Sequence, residues 1–152
     1  MDRVQVHLAA WLSRYSITLL RISLGGIFLL FGALKFFPGS SPAEEISTRT
    51  VGVLTFGLLS HQACLILTAV MECTIGLTLV TGKFLKFGVL VLFGALVGIM
   101  SPLVLFAGDL FPAPDYTPTL LAQYVLKDFI LAAAGLVVAA KALGAKLEPR
   151  RR

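Results

Sequence analysis

Four apolar stretches, about Ser16 to Phe37, Ala63 to Thr81, Gly88 to Ala107 and Leu120 to Ala140, constrain this chain more than any other feature. A helix rising 1.5 Å per residue needs about 20 residues to cross roughly 30 Å of hydrocarbon, and each stretch is of that length. In hydrocarbon, backbone polar groups have no water to bond, so runs of this kind are read as helices. Apolar residues make up 57% of the chain and charged residues only 14%, a balance far from that of soluble domains. The expectation is an all-α, polytopic membrane protein: one domain over residues 1–152, built as a four-transmembrane-helix bundle in the lipid bilayer. A separate soluble catalytic domain does not fit in this length.

The net charge of +5 would suggest nucleic acid as a partner in a soluble chain. Here the cations sit in short flanks beside apolar runs, so no nucleic-acid partner is expected. Arg3 and Arg14 precede the first run, and Lys83 and Lys86 separate the second and third. Lys141, Lys146, Arg150, Arg151 and Arg152 follow the fourth, whereas residues 108–119 carry Asp109 and Asp115 and no cation. By the positive-inside bias both termini and the middle loop are cytoplasmic, and loops one and three lie outside. The first run contains Arg21 and Lys35 and has no small-residue cleavage site, so it is read as an uncleaved span. Ahead of it, Leu8, Trp11, Leu12 and Tyr15 recur at helical spacing beside Arg3, His7 and Arg14, which predicts a short N-terminal interfacial helix.

The loop between the first two spans is not simple coil. Ser41, Pro42 and Glu44 fit an N-cap, a first-turn proline and a capping-box partner, so a short helix should start near Pro42. The following "VGVLTFGLL" is too short to span and is interrupted by Gly52 and Gly57, as in an interfacial or re-entrant piece. The third loop, "GDLFPAPDYTP", is either a stiff connector or a second cover. Together the two loops are expected to close the outer end of a cavity.

Inside the spans the charges are the informative residues. Arg21, Gly25, Phe28, Gly32 and Lys35 follow i, i+4, i+7, i+11, i+14 spacing and fall on one helix face, with the cations about 21 Å apart along the axis. Glyines on such a stripe admit a neighbouring helix closely. The second span carries Glu72 near its middle, between Thr68 and Gly76, and the fourth carries Tyr124, Lys127 and Asp128. Each ionised group facing lipid at mid-bilayer costs about 2.5–3.5 kcal/mol, so these groups should face one another or water. Glu72 is assigned to Arg21 and Asp128 to Lys35. Lys127 and Asp128, about 100° apart on the helix, should reach different neighbours. Two uses remain open: locking the bundle, with Lys35 snorkelling to headgroups, or lining a site for an anionic or quinone-like head group or a proton path. No catalytic residue is assigned. In the third span Gly94, Gly98 and Ser101 form a small-residue face suited to helix packing or a homodimer, and Pro102 should free the carbonyl of Gly98.

Other chemistry is disfavoured. Cys64 and Cys73 lie nine residues apart on one helix, about 13.5 Å along the axis, too far for a disulfide. There is no C-x-x-C, and His7 and His61 are placed on opposite sides of the membrane, so no metal, haem or iron–sulfur site is read. No nucleotide fingerprint or nucleophile motif is present.

Three segments carry a resemblance: "LRISLGGIFLLFGALKFFP", "VMECTIGLTLVTG" and "QYVLKDFILAAAGLVV". With their R-x3-G-x6-G-x2-K stripe, E-x3-G step and Y-x2-K-D start, the chain resembles, over about residues 16–140, the DoxX-like family of small bacterial membrane proteins, including its DoxD and YkgB-like relatives. The resemblance implies a compact four-helix bundle in the bacterial inner (plasma) membrane, with Arg21, Lys35, Glu72, Lys127 and Asp128 at the family's polar or charged positions. Some members are associated with thiosulfate:quinone oxidoreduction or membrane redox complexes. The implied function is therefore a quinone-linked membrane subunit of an oxidoreductase, with quinone as cofactor and a redox-complex protein as partner. No sulfur-handling region accompanies the bundle here. A small proton- or anion-coupled transporter, and a noncatalytic membrane assembly or stress-response protein, are the alternatives.

Overall fold

The computed structural model describes residues 2–37, 39–41 and 43–145, and all its regular elements are helices. The first, α1, runs unbroken over Arg3–Leu34. The separate interfacial helix expected before the first span is therefore corrected: Leu8, Trp11, Leu12 and Tyr15 are early turns of α1 itself, and all are exposed. No proline interrupts residues 3–34, and the glycine pair at 25 and 26 does not break the helix because α3 packs against it. At about 48 Å, α1 is longer than the hydrocarbon layer is thick.

α2 covers Glu44–Leu54. Its N-cap is Ala43, with no side-chain cap, which corrects the role expected of Ser41. The Glu44 carboxylate instead accepts from the Gly39 amide at 2.7 Å. Pro42, the expected first helical residue, lies outside the described residues, as do Lys146 and Arg150–Arg152 of the basic tail. The helix continues through Gly52, so part of the expected re-entrant piece is simply its last turns, and Gly57, at φ +74°, lies in the turn beyond.

α3, His61–Thr81, starts at Ser60, whose side chain accepts from the Ala63 amide, and ends at Gly82 in the left-handed region. α4, Leu85–Met100, passes through Ser101 at helical angles into α5, Pro102–Leu105. Pro102 has no N–H for the Gly98 carbonyl, and Ser101 Oγ donates to that carbonyl at 2.8 Å. The short α6, Ala107–Leu110, precedes the proline loop, which is closed at its base by the Thr119 amide on the Leu110 carbonyl. α7, Leu120–Leu126, and α8, Asp128–Ala142, meet at Lys127. Three runs, Arg3–Leu34, His61–Thr81 and Leu85–Leu105, are long and apolar enough to cross a membrane. The fourth apolar stretch is divided at Lys127 into helices of 7 and 15 residues, each short of the roughly 20 a crossing needs.

α1 packs on α3 and α8, and α4 also packs on both. The main core joins these four helices through Leu24, Phe28, Ile75, Leu79, Leu92, Leu96 and Val138. A second apolar cluster, Ile46, Phe106, Leu110, Ala122 and Val125, ties α2 to α6 and α7. Glycines set the α1–α3 contact. A Cβ at Gly76 would lie 2.6 Å from the Leu29 amide nitrogen, one at Gly25 2.8 Å from Leu79 Cβ, and one at Gly32 2.8 Å from the Cys73 nitrogen. Residue numbers rising on α1 meet falling numbers on α3, so the two helices are antiparallel. Gly94 and Gly98 differ: a Cβ on either meets no atom within 4 Å, so neither supports helix packing inside the chain as the sequence led us to expect.

Gly76→Val should force α1 from α3 and lower stability by about 1–3 kcal/mol, the usual cost of overpacking. Gly94→Ala should stay within about 0.5 kcal/mol of the parent, as substitutions away from tight packing do. Thermal unfolding in detergent, followed by circular dichroism, compares the two.

Candidate functional site

The antiparallel register decides where each buried charge goes. Helical Cα–Cβ bonds tilt toward the N-terminus. Lys35, at the C-cap of α1, therefore leans back along its helix, and Glu72 on α3 leans toward it from the opposite direction. Lys35 Nζ donates to Glu72 Oε2 at 2.6 Å, and the residues are 3% and 7% exposed. This corrects both expected pairings. Arg21 is too far along α1 to meet Glu72 and instead donates through Nη1 to the carbonyl of Leu79, in the last turn of α3. That carbonyl is among those a helix end leaves without an intrahelical partner, and a cation there also complements the helix dipole. Arg21 is a cap for α3.

Asp128, expected to bind Lys35, stands at the start of α8 and is 8% exposed. Among the described residues its carboxylate has no hydrogen bond or ion pair. Its neighbour Lys127 points elsewhere: it is exposed, with Nζ 3.8 Å from the centroid of the Tyr124 ring. Tyr124 in turn makes an edge contact with Phe31, the centroids 6.0 Å apart. Of the three cations and two acids expected in the spans, one pair is joined, one cation caps a helix, one stacks on an aromatic ring, and one acid is left without a partner.

Lys35, Glu72, Tyr124, Lys127 and Asp128 all line one cavity of about 550 Å³. Arg21 does not. The cavity lies between the two apolar clusters, touching Phe28 and Ala95 of one and Ile46 and Val125 of the other. Its walls are mostly apolar, with Ile27, Phe31, Leu67, Met71, Ile99 and Leu131 among them. Its cover is α2, whose Ile46, Ser47, Thr50, Val51 and Leu54 recur at the spacing of one helical face. Thr50 is 2% exposed and its Oγ1 has no partner among the described residues. Gly94 and Gly98 also line the cavity. The closing role expected of the first loop is thus carried by a helix face. Arg49 on the far side of α2 pairs with Asp109 of α6 at 2.6 Å and lies over the Phe106 ring at 4.1 Å, fastening the cover to the third loop.

Sequence reasoning missed Thr50 and Arg49. The recurrence of Ile46, Thr50 and Leu54 at four-residue steps was the available signal for the first. Nothing local pointed to the second, because its partner is 60 residues away. The set offers hydrogen-bond donors and acceptors on the wall of a largely apolar chamber. Among the described residues no group of three or more His, Cys, Asp or Glu is placed to hold a metal, and both cysteines are free.

Residues 16–108 match the family described as DoxX. The chain belongs to the DoxX family. No curated protein and no solved structure matches it. The DoxX match contains Arg21, Lys35 and Glu72, the cover helix α2 and the α4–α5 bend, and stops before α7. Tyr124, Lys127 and Asp128 thus complete the cavity from outside the matched segment. With its three long apolar helices, the chain is a DoxX-family membrane protein.

Removing one partner of a buried ion pair leaves the other uncompensated, at about 3–5 kcal/mol, whereas replacing both by apolar groups is often neutral. Lys35→Met alone and Glu72→Leu alone should therefore each destabilise the protein strongly, and the double variant should recover most of the loss. Unfolding of the four proteins in one detergent closes the double-mutant cycle.

Proposed function

We propose that this DoxX-family protein holds a quinone in the cavity beside Lys35, Glu72 and Asp128, and serves as the quinone-linked membrane subunit of a redox complex. The carrying observation is the joining of an apolar chamber of about 550 Å³ to a buried ion pair, to the unpartnered Thr50 hydroxyl and to the largely buried Asp128. That volume is in the range of small-molecule sites, which are mostly apolar with a few placed polar groups. The residues fit such a ligand: apolar walls accept the ring, and orphaned polar groups otherwise carry a desolvation cost that a ligand's carbonyl or hydroxyl oxygens would relieve.

A bound quinone supplies two-electron, two-proton redox chemistry. The protein's share is position and protons. Lys35 presents a cation held in place by Glu72, Thr50 offers a hydroxyl that donates or accepts, and Asp128 is a proton-exchanging group. The electrons, in this reading, come from a protein partner. In this reading α7 and α8 act together as a fourth crossing. Lys127 keeps helical backbone angles at their junction, and residues 120–142 would span about 34 Å. The cation distribution supports an arrangement in the bacterial plasma membrane with both termini cytoplasmic.

Protein extracted gently from bacterial membranes should carry quinone as an added mass in native mass spectrometry. Asp128→Asn and Thr50→Val should lower the occupied fraction severalfold without loss of the folded bundle. Quinone-free wild-type protein from quinone-containing membranes would defeat the reading.

A further inference from the structure

Gly94 and Gly98 are the cavity-lining residues with least to do. They lie one turn apart on α4, and a Cβ on either would enter open space. Gly94 and its neighbour Val97 are exposed, as are Leu54 on α2 and Leu67 on α3, and all four line the same cavity as the buried Lys35–Glu72 pair. The cavity thus runs from a buried polar part to an apolar notch on the surface of the bundle. In a membrane protein that surface meets hydrocarbon. The missing side chains leave a groove about 5–6 Å along the helix, enough for one hydrocarbon chain and too little for two.

Bare glycines alone would not indicate a ligand. A group of another kind does: Thr50 Oγ1, on a residue 2% exposed, lines the same cavity and has no partner among the described residues, and the largely buried Asp128, in no ion pair among them, lines it too. The cavity also reaches the surface at Ile27 and Ile130, but aromatic side chains stand beside that edge. Between α1 and α7 the Phe31 and Tyr124 rings meet edge to face, and Lys127 stacks on Tyr124.

We infer that the ligand is an amphiphile with a single long hydrocarbon tail, which enters sideways from the bilayer and whose tail lies over Gly94 and Gly98 when its head is in the polar part of the cavity. This rests on the quinone reading above and adds the tail and its route. A leucine at position 98 fills the groove, so a tailed ligand can no longer seat its head. A tailless head still can.

The test compares two probes in nanodiscs of one phospholipid: a tailless benzoquinone and the same ring bearing a decaprenyl tail. In Gly98→Leu, affinity for the tailed probe should fall about tenfold or more, and affinity for the tailless probe should change less than about twofold. Gly26→Ala, an exposed position on α1 outside the cavity where an added methyl meets no atom within 4 Å, serves as the folded control and should bind both probes like wild type. Equal affinity of Gly98→Leu and wild type for the tailed probe would overturn the route, as would an equal loss for both probes in a folded variant. If wild type binds neither probe, the quinone reading falls, and this inference with it. Should Gly98→Leu not fold, a tail-borne diazirine on wild type decides the matter. Labelling of Leu54, Leu67 or Val97 supports the route, and labelling confined to Ile27 and Ile130 overturns it. A glycine face used only by a second copy of the chain would show as dimer loss in the leucine variant with tailed binding unchanged.

Discussion

The buried Lys35–Glu72 pair is the interaction on which the remaining geometry depends. It joins the end of α1 to the middle of α3, and it does so only in the antiparallel register that the close approaches at Gly25, Gly32 and Gly76 permit. Sliding α1 by one helical turn would move Lys35 about 5.4 Å along α3, break the pair and drive the glycines' neighbours into side chains. Charge and packing thus specify the same register. A buried ion pair contributes little net stability because desolvation offsets the Coulomb gain. Its value here is selecting one alignment among several greasy ones.

With that alignment fixed, the other polar groups acquire distinct roles. Arg21 closes the end of α3, and Lys127 is drawn out against Tyr124. Asp128 is left inside the bundle without a cation, together with the Thr50 hydroxyl of the cover helix. Unsatisfied buried polar groups are rare enough in folded chains to require a reason. Ser41 Oγ is a second such hydroxyl and lies outside the chamber; it is Thr50 and Asp128 lining one apolar chamber together that is the reason to regard that chamber as a binding site.

Much of this was legible in the residues. The stripe from Arg21 to Lys35 follows from helical periodicity, and burial increases along it as the helix enters the bundle. The cost of lipid-exposed charge correctly turned Lys35, Glu72 and Asp128 inward. What periodicity cannot supply is the register between helices, which depends on side-chain fit across segments 37 residues apart, so neither expected pairing is the one formed. Local rules also misjudged the N-terminal segment. Its amphipathic pattern suits a helix lying flat, but nothing between it and the first span breaks the helix. At Ser41 the capping pattern was present without its expected geometry, because Glu44 was already engaged by Gly39.

The fastening of α2 is of a different kind from the contacts beneath it. Arg49 and Asp109 are both more than half exposed, so their attraction is screened by salt and is worth at most about 1 kcal/mol. The cover is also held by the apolar cluster around Leu110 and by the stacking of Arg49 on Phe106. Opening of a protein begins where few strong contacts must be broken. Backbone amides of α2 should therefore exchange with solvent ahead of those of α3, making the cover a separately breathing unit on a rigid floor.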